Sequence, residues 1–113
     1  MDKTSALDAF TALSQSTRLD VFRLLIRAGE AGMSAGDIGD TLGVLQNTMS
    51  ANLAILARSG LIRSARQGRS IRYFADMAGL RGLLAFLMQD CCGGRPELCQ
   101  PVIDQLAVAC QEA

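Results

Sequence analysis

The sequence predicts a mainly α-helical chain that carries one β-hairpin. Apolar residues recur at helical spacing up to residue 58, and two short runs of alternating apolar and polar side chains follow at residues 61–66 and 71–74. The 113 residues include four Phe, one Tyr and no Trp, so the core has to be aliphatic, as in many helical folds. We expect one domain over residues 1–90, followed by a cysteine-containing tail over residues 91–113.

Two helices are predicted before residue 30. Ser5 is the candidate N-cap of the first and Ser16 that of the second, because a serine hydroxyl can accept a hydrogen bond from a backbone N–H of the first turn. The second helix covers Thr17 to Ala28 and ends at Gly29. The apolar positions at helical spacing are Leu7, Phe10 and Leu13 in the first helix, and Leu19, Phe22, Leu25 and Ile26 on the buried stripe of the second.

Residues 34–58 have the pattern of a helix-turn-helix. Ser34 is a candidate N-cap, Asp37 occupies the capping-box position, and Gly43 permits the left-handed exit of a tight turn. Ile38 and Leu42 lie one turn apart on the first helix, and Met49, Leu53 and Leu56 share one face of the second, Gln46–Arg58. Amides and hydroxyls near the start of that second helix suit contact with base edges in a DNA major groove. The candidate base-contacting residues are Gln46, Asn47, Thr48, Ser50, Ala51 and Asn52.

The hairpin completes the outline of a winged helix-turn-helix. Its two runs are joined by residues 67–70 (QGRS), a turn built around Gly68. Arg66, Arg69 and Arg72 lie around this turn, and arginine forks onto phosphate oxygens. We expect these three arginines to contact the DNA backbone; the alternative is a solvated hairpin without a partner.

The distribution of charge supports this interpretation better than the total charge does, which is zero. Residues 1–43 have a net charge of −2, from four bases and six acids, and residues 82–113 have −3, from one base and four acids. Residues 44–81 have +5, from six arginines against Asp76. The basic segment is therefore the one that contains the predicted helix-turn-helix and hairpin.

A further helix is predicted after the hairpin, with Asp76 as its N-cap and a broad apolar face. That face consists of Leu80, Leu83, Leu84 and Leu87. This helix and the first helix are more apolar than one small domain can cover, which favours a symmetric homodimer with two DNA half-sites about one turn apart. The alternative is that these leucines pack inside one protomer.

All four cysteines lie beyond residue 90. Cys91 and Cys92 are adjacent, a Gly-Gly-Arg-Pro turn can return Cys99 toward them, and Cys110 follows with no spacing that connects it to the others. Clustered cysteines in a cytosolic chain point to metal, metalloid or redox chemistry. The chain has no His, which excludes mixed Cys/His zinc sites, and a trigonal thiophilic centre needs only three sulfurs. A four-cysteine zinc site, a redox or persulfide-sensitive cluster and an incidental cluster remain as alternatives.

Other classes of function have less support. No stretch resembles a secretion signal, and the longest apolar run, residues 83–88, is far shorter than the roughly 20 residues that span a membrane. We therefore expect a cytoplasmic protein without a membrane partner. An enzyme is not expected, because the chain has no histidine, no phosphate-binding glycine loop and no Cys-x-x-Cys motif. A thiol metal carrier that binds no DNA is the remaining class.

The chain resembles the ArsR/SmtB family of metal- and metalloid-responsive repressors over residues 7–99. The similar stretches are residues 12–25 (ALSQSTRLDVFRLL), 49–56 (MSANLAIL), 59–62 (SGLI) and 68–74 (GRSIRYF). The family's Cys-x-Cys pair before the recognition helix is missing, since residues 34–40 hold no cysteine, and its histidine-and-carboxylate zinc site is missing too.

The resemblance implies a homodimeric winged-helix repressor that leaves its double-stranded operator DNA when an inducer binds. The Cys-Cys pair with a third cysteine downstream resembles a subgroup of arsenite sensors. That resemblance implies that Cys91, Cys92 and Cys99 bind one trivalent arsenic per protomer as inducer. A redox, persulfide or soft-metal sensor on the same scaffold is the alternative, and the sequence leaves the role of Cys110 open.

Overall fold

The computed structural model describes residues 1–89 and 95–112, and within them it confirms a mainly helical winged helix-turn-helix fold. A 3-10 turn, Gly29–Ala31, and a short strand precede the helix-turn-helix. The helices are α1 Lys3–Leu13, α2 Ser16–Ala28, α3 Ala35–Leu42, α4 Gln46–Arg58, α5 Met77–Leu87 and α6 Pro96–Glu112, and the strands are β1 Met33–Ser34, β2 Ile62–Gln67 and β3 Ser70–Ala75.

The three strands form one antiparallel sheet in the order β1-β3-β2. β2 and β3 make the predicted hairpin, in which Gln67 is paired with Ser70 across the turn and Gly68 takes a positive φ of 63°. The sequence did not predict β1, a strand of two residues in which Met33 pairs with Tyr73. This strand joins the turn after α2 to the hairpin, so the hairpin is tied to the helical body along one edge.

The core is aliphatic, as the composition predicts. It lies where α2, α3 and α4 meet the sheet, and the turn after α4 contributes Leu61 to it. Its largest fully buried side chains are Val21, Leu25, Ile38, Met49, Leu53, Leu56 and Leu61. Burial of this kind stabilises the fold by about 1.5–3 kcal/mol per large side chain, before the loss of conformational entropy is subtracted.

The first helix begins earlier than predicted, because Asp2 and not Ser5 is its N-cap. The Asp2 carboxylate accepts a hydrogen bond of 2.7 Å from the backbone N–H of Ser5, and this bond lowers the pKa of Asp2. The buried residues of α1 are alanines (Ala6, Ala9 and Ala12), whose small side chains let the helix approach its neighbours closely. Leu7 and Phe10 remain 54% and 39% exposed, so the apolar side of α1 is turned away from the protomer's own core.

The second helix begins at Ser16, and its N-cap is Gln15 and not Ser16, since the Gln15 side chain accepts from the backbone N–H of Arg18. Two of the four residues of the predicted buried stripe are buried. Phe22 and Leu25 are buried together with Val21, whereas Leu19 and Ile26 are 42% and 36% exposed. The helix is rotated toward Val21 because it packs against α1, α4 and the sheet at once.

The last two helices leave much apolar surface uncovered. Asp76 caps α5 as predicted, by accepting from the backbone N–H of Gly79 at 3.2 Å, and α5 ends at Leu87. Of its predicted apolar face Leu83 is buried and Leu80 half-buried, while Leu84 and Leu87 are 38% and 53% exposed. The sequence did not predict α6, whose exposed apolar residues are Leu98, Val102, Ile103, Leu106 and Val108. No helix among the described residues is long and apolar enough to cross a membrane.

Candidate nucleic-acid interface

The turn between α3 and α4 has the geometry that the sequence predicts. The Ser34 hydroxyl accepts a hydrogen bond of 3.1 Å from the backbone N–H of Asp37, and Gly43 ends α3 in the left-handed conformation with φ 68°. The two helices approach closely at Gly39, where a Cβ atom would lie 2.9 Å from the carbonyl oxygen of Val44 and 2.6 Å from Nε2 of Gln46. The start of α4 is therefore held against α3 by a contact that only glycine permits.

The fourth helix, Gln46–Arg58, has the predicted bounds and the predicted two faces. Met49, Leu53 and Leu56 are buried in the core. On the other side, five of the six candidate base-contacting residues are exposed, namely Gln46, Asn47, Thr48, Ser50 and Ala51. These groups present amides, hydroxyls and a methyl group, which are the groups that distinguish base edges in a major groove.

Two of the exposed residues also make contacts that shape the start of α4. Nε2 of Gln46 donates to the backbone carbonyl of Ala35 at 3.3 Å, so this side chain joins the two helices. Oδ1 of Asn47 accepts from the backbone N–H of Thr48 at 2.9 Å. Leu45, the residue before the helix, is 77% exposed. The sequence did not predict it as a candidate contact residue, because it lies in the predicted turn before α4. An exposed leucine beside candidate base-contacting groups is suited to packing on a thymine methyl group.

Asn52 does not belong to this exposed face. It is only 8% exposed, and its Oδ1 accepts a hydrogen bond of 3.3 Å from Nη1 of Arg18. The prediction that Asn52 contacts bases is therefore wrong for this geometry. The physical reason is that its place on α4, next to Leu53 and one turn after Met49, turns it toward α2, where a buried amide needs a partner.

The hairpin places two of its three candidate arginines in solvent. Arg66 lies near the end of β2 and Arg69 in the turn beside Gly68, and both are exposed. Within the described residues the one ion pair is between Arg95 and Glu97, so neither hairpin arginine is neutralised by an acid there. Their charges are available to phosphate oxygens.

Arg72 has a different role from the predicted one. Nε of Arg72 donates to the carbonyl oxygen of Ala31, and Nη2 donates to that of Gly32, each at 3.0 Å. The guanidinium is thus occupied by two backbone carbonyls of the turn that precedes β1. The prediction that Arg72 contacts DNA is not supported by this arrangement, because its donors serve to attach the hairpin to the body of the protomer.

A fourth arginine of the hairpin was not singled out from the sequence. The guanidinium of Arg63 lies 4.4 Å from the centroid of the Phe74 ring, which is its direct partner across β2 and β3. This cation–π contact covers a buried aromatic side chain with an exposed arginine. The pairing could be found from the hairpin register, although not from the residue type alone.

The candidate inducer site is described only at Cys99. Cys91 and Cys92 lie outside the described residues, and so does the side chain of Cys110. Cys99 is in α6, is 5% exposed and is disulfide-bonded. No group of three possible ligands from Cys, His, Asp and Glu is found among the described residues. The three-cysteine arsenic site therefore stays a prediction.

Comparison with known proteins agrees with the fold. Residues 13–65 match the family described as "Helix-turn-helix domain". The chain is 31% identical to the uncharacterized HTH-type transcriptional regulator YbzH of Bacillus subtilis (strain 168), with 72% of this chain and 93% of that protein aligned.

Two solved structures are similar over most of their length. An ArsR-like transcriptional regulator from Rhodococcus sp. RHA1 is 30% identical with a TM-score of 0.70, and 92% of this chain and 93% of that chain are covered. The homodimeric winged helix-turn-helix DNA-binding domain of Mb0332 from Mycobacterium bovis, a possible ArsR-family transcriptional regulator, is 26% identical with a TM-score of 0.61. In that comparison 77% of this chain and 81% of that chain are covered. From its fold, its helix-turn-helix geometry and these relatives, the chain belongs to the ArsR family of winged-helix transcriptional regulators.

Proposed function

We propose that this chain is a repressor that binds operator DNA as a homodimer and releases it when trivalent arsenic binds Cys91, Cys92 and Cys99. The observation that carries DNA binding is the exposed polar face of α4 beside a hairpin whose Arg66 and Arg69 form no ion pair with any described residue. α4 packs against β2, so one protomer can insert α4 into a major groove while the hairpin reaches the flanking phosphates.

The uncovered apolar side chains of α1 and α5 support the dimer. Leu7, Phe10, Leu84 and Leu87 are all more than a third exposed, and α6 exposes several more. The helices α1 and α5 contact each other, and monomeric soluble proteins seldom expose large apolar patches to water. A two-fold symmetric contact through these helices covers these side chains and presents two copies of α4 to successive major grooves. The homodimeric Mb0332 domain is a precedent for this assembly within the same fold.

The disulfide at Cys99 supports a thiol site near α6. Cys99 is disulfide-bonded, and a disulfide joins two cysteine sulfurs. Once reduced, such a pair offers two thiols to a soft, thiophilic centre. Arsenous acid condenses with three thiols, forming three As–S bonds and releasing three molecules of water, which is a reaction without net oxidation or reduction.

Release of DNA requires that the arsenic-bound dimer disfavour the DNA-bound geometry. A preference of about 3 kcal/mol for a dimer with misplaced copies of α4 would weaken operator affinity by more than a hundredfold. The proposed dimer contact uses α5 and α6 together with α1, and Cys91 and Cys92 lie between α5 and α6 in the sequence. Binding there is therefore suited to changing the dimer contact.

A thiol-based redox or persulfide sensor is the second candidate, and the disulfide-bonded state of Cys99 favours it. In that case oxidation of two thiols to a disulfide, with transfer of two electrons and two protons to an oxidant, would take the place of arsenic binding. A soft-metal sensor would use the same thiolates. A metal carrier that binds no DNA is disfavoured by membership of a family of transcriptional regulators.

One titration separates these candidates. The full chain is first used to select its preferred duplex from a random library, and the reduced complex is then titrated with arsenite, zinc and a persulfide while DNA release is measured by fluorescence anisotropy. A phosphine serves as reductant, because dithiols compete for arsenic. Release by arsenite alone supports the proposal, and release by persulfide alone supports the second candidate. Failure to prefer any duplex over random DNA would contradict the repressor function itself.

A further inference from the structure

A single arginine connects the helix proposed for the dimer contact with the helix proposed for base contact. Arg18 is in the first turn of α2. Its Nε donates to the carbonyl oxygen of Ala12 in α1 at 2.7 Å, and its Nη1 donates to Oδ1 of Asn52 in α4 at 3.3 Å. These bonds span 6 and 34 residues of sequence. One planar guanidinium thus holds three helices.

Each of the two acceptors would lose a needed hydrogen-bond donor without Arg18. Ala12 lies in the last turn of α1, where a carbonyl has no partner within the helix. Asn52 is a buried polar side chain, 8% exposed, and a buried amide without a partner would cost stability. Arg18 forms no ion pair within the described residues, so it is fixed by the direction of its donors and not by attraction to an acid.

The two ends of this connection differ in what surrounds them. The exposed side chains Leu7 and Phe10 lie on α1, in the surface that the dimer is proposed to cover. Asn52 lies on the inner side of α4, behind the exposed Ser50 and Ala51. A change in the angle between α1 and α4 would therefore alter how far apart the two copies of α4 stand in a dimer.

We propose that Arg18, through Asn52, is a positioning residue that fixes the angle between α1 and α4, and thereby sets which spacing of DNA half-sites the dimer accepts. This inference rests on the proposed operator-binding function. Buried polar contacts that specify one arrangement of helices are a known use of such groups, at some cost in stability. The apolar contacts between α1 and α4 allow sliding and rotation, whereas a forked donor with two fixed acceptors does not.

The test compares duplexes whose two half-sites stand at the selected spacing or one or two base pairs closer or farther apart. We expect Asn52→Ala and Arg18→Lys to reduce the preference for the selected spacing by about tenfold, which corresponds to about 1.4 kcal/mol. Affinity for random duplex and its dependence on salt should stay unchanged. Asn52→Asp keeps an acceptor for Arg18 and should retain the preference. Arg23→Lys, an exposed position on the same helix, is the matched control.

A second measurement without DNA separates failure of this inference from failure of the proposed function. Spin labels are attached through a noncanonical amino acid at the exposed positions Thr4 of α1 and Ala54 of α4, with the labelled chain diluted into unlabelled chain. Asn52→Ala should broaden the distribution of distances between the labels, and Arg23→Lys should not. An unchanged distribution, or a spacing preference in Asn52→Ala equal to that of the natural chain, would overturn the inference.

Discussion

Arg72 donates a hydrogen bond of 3.0 Å from Nη2 to the carbonyl oxygen of Gly32, forty residues earlier in the chain. With the parallel bond from Nε to Ala31, it attaches the hairpin to the turn that follows α2. The hairpin can contact phosphates at a fixed position relative to α4 only if the end of the hairpin next to the helices is held by such hydrogen bonds. Arg72 therefore contributes to the candidate interface by supporting it.

The first prediction concerns this support. Arg72→Ala removes two charge-assisted hydrogen bonds at a half-buried position and should lower the free energy of unfolding by about 1–2 kcal/mol, as measured by chemical denaturation. The matched control is Arg69→Ala, an exposed arginine of the same hairpin, which should change stability by less than about 0.5 kcal/mol. Equal stability of the two variants would contradict the supporting role of Arg72.

The second prediction separates phosphate contact from base contact. Arg66→Ala and Arg69→Ala should weaken binding to all duplexes about equally, and each should reduce the slope of affinity against salt concentration by about one unit. Changes at Asn47 or Gln46 should instead cost about 1–3 kcal/mol at particular base pairs. Salt titrations on operator and random duplex measure both effects, and an unchanged slope in the arginine variants would disprove the role of the hairpin.

The third prediction uses two glycines with the same positive φ of 63°, Gly29 and Gly32. An added Cβ would find nothing within 4 Å at Gly29, whereas at Gly32 it would lie 2.6 Å from the Phe74 ring and 2.6 Å from the carbonyl oxygen of Tyr73. Both alanine variants carry backbone strain. Gly32→Ala should be less stable than Gly29→Ala by about 2 kcal/mol, because of the added overlap. Thermal and chemical unfolding of the pair would show this, and equal losses would speak against the close approach.

The fourth prediction uses two glycines of α3. A Cβ atom at Gly36 would lie 3.9 Å from the hydroxyl oxygen of Ser34, which is an ordinary contact. Gly36→Ala should therefore raise the free energy of unfolding by about 0.5–1 kcal/mol, since alanine is the better helix former. Gly39→Ala has to displace Val44 or Gln46, and should shift the start of α4. We expect it to reduce affinity for the operator more than affinity for random DNA, as measured by anisotropy. Loss of both affinities to the same degree would mean that the substitution acts only through folding.

The fifth prediction concerns the inducer. Serine keeps the shape of cysteine without offering a thiolate, so Cys91→Ser, Cys92→Ser and Cys99→Ser should each leave DNA binding intact and abolish or greatly weaken release by arsenite. Cys110→Ser is the control and should change little. X-ray absorption of the arsenic-loaded chain should show three sulfur neighbours. Two sulfur neighbours would indicate a methylated arsenical as inducer. A normal arsenite response in a variant without Cys91, Cys92 and Cys99 would contradict the hypothesis.

The sequence alone determined the local parts of this protein. The cap at Ser34, the exit at Gly43, the bounds of α4 and the turn at Gly68 follow from interactions between residues at most a few positions apart. Such interactions depend on residue type and spacing, both of which are visible in the sequence. The basic character of residues 44–81 could likewise be identified from the sequence, by counting charged residues.

The tertiary structure decided what the individual polar side chains do. Arg72 and Asn52 look like their exposed neighbours in the sequence, but their partners lie 40 and 34 residues away, at Gly32 and Arg18. Which face of α1 is buried also depended on packing, because its alanines and not its large apolar residues fit against the adjacent helices. Periodicity reveals that a helix has two faces. Only the arrangement of the other elements determines which one is covered, and whether a charged side chain meets a backbone carbonyl or the solvent.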